Sequence, residues 1–223
     1  MRPSLRETLL RNAVSLFSRS GYNAVSLRDI AKASGANVGS LTYHFGSKAN
    51  LLREIYERHT KPMNARRLEL LGEARRISNP DERLMAVLRA YVVPAFTSST
   101  EGDGGGAEFT RMRAVLSAEG NADAREIIAD AFDETSRLFI EALADCVPGA
   151  PLEGVVWRSQ FLLGALYYAL VNPERVTRLS GGAATGEDQE TAVNQIVEAS
   201  YASFRSLSAE LAASDKSMKK GRN

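Results

Sequence analysis

Apolar residues recur at three- and four-residue spacing through nearly all of the chain, with almost no alternating run and only seven prolines. A strand repeats its faces every two residues and an amphipathic helix every 3.6, so this pattern predicts an all-α fold. At 223 residues, with 44% hydrophobic and 25% charged side chains, the chain can bury one large core or two modest ones. The longest apolar stretch, Phe161 to Val171 counting Gly164, falls short of the roughly 20 residues that span a bilayer, so no membrane partner is expected. The amino end turns charged at Arg2 and Arg6-Glu7, unlike a signal peptide, and the lone Cys146 can form no internal disulfide. These features predict a reducing, cytoplasmic setting.

Helix boundaries follow from caps and glycines. Leu5, Leu9, Leu10, Ala13, Leu16 and Phe17 form a first stripe that Ser4 and Glu7 cap and Gly21 ends. Ser26 and Asp29 make a second capping box before a helix of about two turns that stops at Ser34-Gly35. Asn37 caps a third helix to about His44, and Gly46-Ser47-Lys48 breaks and recaps into a long fourth one. Further helices are expected to about Ile77, from Pro80 to about Ser99, from about Ala107 to Ala118, from Asp123 to Val147, from Leu152 to Val171, and from about Glu187 to Ala213. The glycine-rich run Glu101 to Gly106 follows a helix and lacks a Gly-Lys-Ser/Thr ending, so it is expected to be a mobile interhelical loop rather than a phosphate cradle.

Charge separates the two ends. Residues 1–60 hold nine Lys/Arg against four Asp/Glu, and residues 61–223 hold the other 19 against 23. A basic head on a mildly acidic body fits a head that meets a polyanion. Within that head, residues 26–45 are two short helices joined by a glycine-containing turn, the pattern of a helix-turn-helix whose second helix enters the DNA major groove. The outward side of that second helix carries Asn37, Gly39, Ser40, Thr42, Tyr43 and His44, small or hydrogen-bonding residues suited to base edges and phosphates. Leu41 and Phe45 point inward, and Val38 suits either the core or a thymine methyl. Asn37, Ser40 and Thr42 are expected at base edges, and Tyr43, His44 and Lys48 at phosphates. Lys48 in a first helical turn opposes the positive end of the helix dipole, a cost a nearby phosphate would reverse.

Gly21-Tyr22, Val25-Ser26-Leu27-Arg28-Asp29-Ile30-Ala31, Ser34-Gly35-Ala36 and Leu41-Thr42-Tyr43-His44-Phe45-Gly46-Ser47-Lys48 followed by Leu51-Leu52 resemble the amino-terminal DNA-binding domain of TetR/AcrR-type transcriptional regulators. The resemblance covers about residues 5–55. The commonest family pattern has tyrosine where this chain has Thr42, and here the aromatic is Tyr43, so which of the two meets a base stays open. The resemblance implies a homodimeric regulator, usually a repressor, that binds an operator in double-stranded DNA and is released by a small-molecule effector held in its carboxy-terminal domain. Ser26 and Arg28 join the expected DNA-binding set on this ground. The organisation expected is a helix-turn-helix domain over 1–46, a helical ligand-binding and dimerisation domain over 47–213, and a flexible basic tail over 214–223.

In the body, the helix from Leu152 is apolar on two sides. Leu163, Leu166 and Tyr167 lie on one face, Trp157, Phe161 and Tyr168 on the other, and the last helix repeats the spacing with Val193, Ile196, Val197, Tyr201 and Phe204. Two such helices from each of two subunits would form a four-helix interface, the alternative being that helices of the same chain cover both faces. Along the fourth helix His59 and Arg66 interrupt a stripe shared by Leu52, Ile55, Met63 and Leu70, as a cavity with a few orienting polar groups would require, unless both snorkel to solvent. Phe109, Met112, Trp157, Phe161 and Tyr168 are candidates for the same cavity.

Catalytic and metal-binding material is thin. There are two histidines, His44 and His59, one cysteine, no Cys-x-x-Cys and no His-Glu-x-x-His, so neither an enzyme nor a cofactor is expected. Cys146 beside Asp145 reads as structural. The competing reading is a helical ligand-binding or enzymatic protein whose first helices only mimic a DNA reader; a DNA-dependent gel shift separates the two.

Overall fold

A computed structural model describes residues 3–97 and 106–220, with side chains through Leu207. The described residues form helices and no strand, as the periodicity predicts. In order they are α1 (Leu5–Ala24), α2 (Leu27–Ala33), α3 (Val38–Phe45), α4 (Lys48–Ala74), α5 (Pro80–Thr97), α6 (Gly106–Glu119), α7 (Ala122–Cys146), α8 (Leu152–Val171), α9 (Glu174–Leu179) and α10 (Gln189–Lys220). The glycine run expected as a mobile loop lies outside the described residues up to Gly106, which opens α6. The short α9 went unforeseen because six residues are too few to show a helical period. The backbone of α10 stays helical through Lys220, past the expected end at Ala213 and into the segment expected to be a loose tail.

The chain forms two compact units, Met1–Ala65 with Pro94–Glu134, and Arg66–Val93 with Thr135–Asn223. Helices α4 and α5 each carry an internal proline, Pro62 and Pro94, close to the position where the chain passes from one unit to the other.

In the first unit the caps form as read. The Ser4 hydroxyl accepts the Glu7 N–H at 3.2 Å while the Glu7 carboxylate accepts the Ser4 N–H at 2.8 Å. Ser26 and Asp29 repeat this arrangement at α2. Gly35, with φ +64°, supplies the left-handed residue the α2–α3 turn needs. Asn12, unremarked in the sequence because it merely interrupts the α1 stripe, fastens α1 to the end of α2 by donating to the Ala33 carbonyl at 3.1 Å and to the Ser34 hydroxyl at 3.0 Å. Leu9, Phe17, Ile30, Leu41, Leu51 and Leu52 are fully enclosed, and the same cluster continues through Ile55, Tyr56 and Met63 to Phe109, Met112, Leu116 and Phe132. The helix-turn-helix thus shares one core with α4, α6 and α7 rather than closing a core of its own.

In the second unit α8 lies along α10. Arg158 joins them by donating to the Ser203 carbonyl at 2.8 Å and the Ser206 hydroxyl at 3.2 Å. Arg205 pairs with Asp81 at 3.0 Å and Arg89 donates to Asn194 at 2.8 Å, which ties α10 to α5. Among the described residues no helix is long and apolar enough to cross a membrane.

Candidate nucleic-acid interface

Helix α3 buries Leu41 and Phe45 and turns its other side to solvent. Val38, Gly39, Thr42 and Tyr43 are exposed, with Tyr43 86% accessible, while Ser40 and His44 are half-buried. Of the two roles left open for Val38, its exposure favours the outward one. The rings of Tyr43 and His44 meet edge-on with centroids 5.4 Å apart, so the tyrosine is propped outward from the helix. No carboxylate lies on α3, so nothing on this face repels a phosphate.

Several candidates already hold local bonds. Asn37 Oδ1 accepts both the backbone N–H and the hydroxyl of Ser40, at 2.8 and 3.2 Å, so only its amide nitrogen faces outward chemistry. The Thr42 hydroxyl donates to the Val38 carbonyl at 3.0 Å and keeps its acceptor lone pairs. Ser26 is engaged twice by its capping box, donating to Asp29 Oδ2 at 2.5 Å and accepting the Asp29 N–H at 3.2 Å. The Ser26 hydroxyl and the Ser26 backbone N–H, which donates to the same Oδ2 at 2.9 Å, hold the Asp29 carboxyl below its ordinary range. Arg28, next to this box, is exposed.

Lys48, expected at a phosphate, is engaged within the protein. Its ammonium turns inward, donates to the carbonyls of Tyr22 at 2.9 Å and Val25 at 3.0 Å, and lies 4.1 Å from the centroid of the Tyr22 ring. Burial lowers its pKa, while the carboxylates of Glu119 and Asp123 act in the opposite direction. Two of its three donors are thus committed within the protein.

The eight ligand candidates fall into two sets. His59, Met63, Phe109 and Met112 are together in the first unit but form packed core, with the His59 imidazole stacked on Phe109 at 4.7 Å and an interplanar angle of 7°. Arg66, Trp157, Phe161 and Tyr168 belong to the second unit and are exposed. Arg66 holds Glu69 on the surface at 2.6 Å; the buried cation of α4 is its neighbour Arg67, which is 1% exposed. The second unit does contain a small, half-open cavity of about 50 Å³, lined by Tyr91, Ser136, Phe139, Ile140, Leu143, Ser159, Gln160, Leu162 and Leu163. Sequence reasoning missed it, naming only Leu163 and for a different role.

The dimer candidates also divide. Leu166, Val193, Ile196, Val197 and Phe204 are buried within the single chain, and Leu163, Tyr167 and Tyr201 are half-buried. The alternative in which helices of the same chain cover these faces holds for the five buried residues. What α8 leaves uncovered is the opposite side, where Trp157 is 55% and Phe161 62% exposed, their ring centroids 5.9 Å apart. Cys146 is buried, and burial raises its thiol pKa against the pull of Arg83.

Residues 9–55 match the bacterial regulatory proteins of the tetR family, and residues 89–202 match the tetracyclin repressor-like C-terminal domain. The chain belongs to the TetR family of bacterial regulatory proteins. Among its relatives, the HTH-type transcriptional regulator AcrR of Shigella flexneri is 34% identical over 94 residues, 42% of this chain and 41% of AcrR. The negative transcriptional regulator IcaR of the icaADBC biofilm operon in Staphylococcus aureus is 40% identical over 57 residues, 26% of this chain and 28% of IcaR. The chain thus matches less than half the length of either. Among solved structures, AibR in complex with isovaleryl coenzyme A and operator DNA shares the fold with a TM-score of 0.61 and 18% identity, over 87% of this chain and 96% of that one.

Proposed function

We propose that this regulator is a homodimeric repressor that binds a palindromic operator through α3 and is released by a small-molecule effector. The observation that carries the reading is the outer face of α3, where Tyr43, Thr42 and Val38 stand exposed, free of carboxylates, on a helix fixed by the Leu41 and Phe45 anchors. Asn37, through its amide nitrogen, Ser40 and Thr42 read base edges; Tyr43, His44 and Arg28 meet phosphates. A two-fold dimer presents two such helices to half-sites about one helical turn apart, which is why the operator is palindromic. The uncovered apolar side of α8 is the surface on which the second copy docks, since isolated tryptophan and phenylalanine rings in contact on a helix gain from burial. Repression is supported by IcaR, which is named a negative regulator, and an effector by AibR, which was solved with both a ligand and operator DNA. The cavity in the second unit offers the effector an apolar wall with neutral polar groups from Ser136, Ser159 and Gln160.

Selection of bound DNA from a random pool tests the reading. A palindromic consensus bound by two subunits, with affinity falling by about three decades between low and physiological salt, is the expected result. Recovery of no consensus, or binding by a monomer, overturns it.

A further inference from the structure

The turn that leads out of α1 is gripped by opposite charges on its opposite poles. Gly21, with φ +79°, breaks the helix and points the N–H groups of Tyr22 and Asn23 at Glu119, whose carboxylate accepts them at 2.6 and 3.2 Å. The carbonyls on the other side of the same turn, those of Tyr22 and Val25, are the ones that Lys48 holds. Glu119 is the last residue of α6 and Lys48 the first of α4, so three elements distant in sequence meet on five residues. A Cβ at position 21 would push the Glu119 carboxylate out of this grip, and the positive φ favours glycine there independently. Asn121 adds a further tie by donating to Asn23 Oδ1 at 2.8 Å. Both grips are charge-assisted and partly screened from water, the setting in which such bonds are strongest.

We infer that Glu119 and Lys48 are positioning residues for operator recognition: they lock the 21–25 turn, and through it the direction in which α2 and α3 leave α1, without touching DNA. The inference rests on the operator reading given above. Val25 is followed at once by the α2 cap Ser26, so a change in the turn passes directly to the helix-turn-helix. With one pole released, the turn samples other directions, and a dimer built on it loses its preference for one distance between half-sites. A residue that merely contributed to stability would lower the melting point and leave that preference intact.

The experiment uses the full-length protein and the operator obtained by selection, with Glu119→Ala, Glu119→Gln and Lys48→Met. Operator affinity is read by fluorescence anisotropy well below each variant's melting midpoint, across a salt series and a set of operators with altered half-site spacing. Glu119→Ala and Lys48→Met are each expected to weaken the operator by about tenfold, the size of a lost charge-assisted bond. Their salt slopes should stay at the wild-type value while discrimination among spacings narrows. Glu119→Gln, which retains one acceptor oxygen and the side-chain shape, should fall between, and remains informative if the alanine variant does not fold. The double variant should lose less than the two single losses combined, because both groups hold one turn. A salt slope lowered by about one in Lys48→Met would make it a phosphate contact and overturn the inference. So would Glu119 variants that melt earlier yet keep wild-type affinity and spacing preference. Wild-type protein that selects no consensus would instead defeat the operator reading, an outcome visible before any variant is made.

Discussion

The guanidinium of Arg67 lies 4.2 Å from the centroid of the Tyr91 ring, and its Nε donates to the Tyr91 carbonyl at 3.0 Å. A buried arginine spread over an aromatic face and bonded to its backbone cements α4 to α5 within the second unit. Arg67→Ala should therefore destabilise the protein by about 2–4 kcal/mol, through the lost stacking, the lost hydrogen bond and the cavity left behind. Arg66→Ala, one position earlier on the surface, should change stability by less than about 0.5 kcal/mol. Urea unfolding of the two variants checks this, and similar losses from both would refute the contrast.

The one-residue difference between Arg66 and Arg67 shows what periodicity can and cannot fix. From Met63 an apolar stripe can continue by three residues to 66 and 70 or by four to 67 and 71, and each choice fits a 3.6-residue period. Leu71 and Ala74 are the buried residues, so the four-residue step is the one taken. The same limit governs α8 and α10: spacing showed that Val197 and Phe204 face apolar surroundings, but not that those surroundings belong to the same chain. Local chemistry was far more legible. The caps at Ser4, Ser26 and Asn37 each depend on residues within four positions, and all three form. The grip of Glu119 on Tyr22 joins residues 97 apart, and no local signal marks it.

The burial pattern sets two classes of α8 and α10 variants apart. Trp157→Glu or Phe161→Glu places a charge on an exposed apolar surface, so the monomer should stay folded by circular dichroism while sedimentation shows the dimer lost. Val197→Glu or Phe204→Glu forces a charge into a closed core and should unfold the second unit outright. Folded monomers from the second pair, or intact dimers from the first, would reverse the assignment of the two faces.

The capping box at α2 gives stability a dependence on acid. The Ser26 bonds keep the Asp29 carboxyl below the range it has in an unfolded chain, so the folded state holds the ionised form more tightly. The stabilisation is complete above the unfolded pKa, about 4, and is lost as pH falls through the lower folded value. Asp29→Asn should therefore be less stable than the parent at neutral pH, with the gap closing as pH drops below about 4. A gap that stays constant from pH 7 to pH 3 in thermal melts would show that the carboxylate's charge has no part in the cap.

Filling the cavity of the second unit should uncouple the effector from DNA. Ser159→Phe, at a half-buried position on its wall, occupies the space an effector would use while lying outside the first unit that carries α3. The expected variant binds operator like the parent but no longer releases it on addition of an inducer found by screening. A hundredfold release requires about 2.7 kcal/mol of coupling, and by reciprocity operator DNA must weaken inducer binding in the parent by the same factor. Normal induction of the filled variant would place the effector elsewhere.

Thr42 and Tyr43 are neighbours on α3 with different reach, and that difference divides their roles. The Thr42 hydroxyl spends its proton on the Val38 carbonyl, which leaves it an acceptor held close to the helix and, under the proposed function, suited to a base edge in the major groove. Tyr43 extends outward, supported on one side by the His44 ring, which under the proposed function suits its hydroxyl to the flanking DNA backbone. Thr42→Ala should therefore relax the preference at one operator position at a cost of about 1–3 kcal/mol. Tyr43→Phe removes one neutral hydrogen bond to phosphate, so it should weaken all sequences about equally and leave the salt slope unchanged, because no cation is lost. Binding of each variant to a panel of single-base operator substitutions measures both effects. If Tyr43→Phe alters the preferred base while Thr42→Ala does not, α3 sits in the groove rotated by about 100°, the angle between successive helical residues, and the base-reading and phosphate-binding sets exchange members.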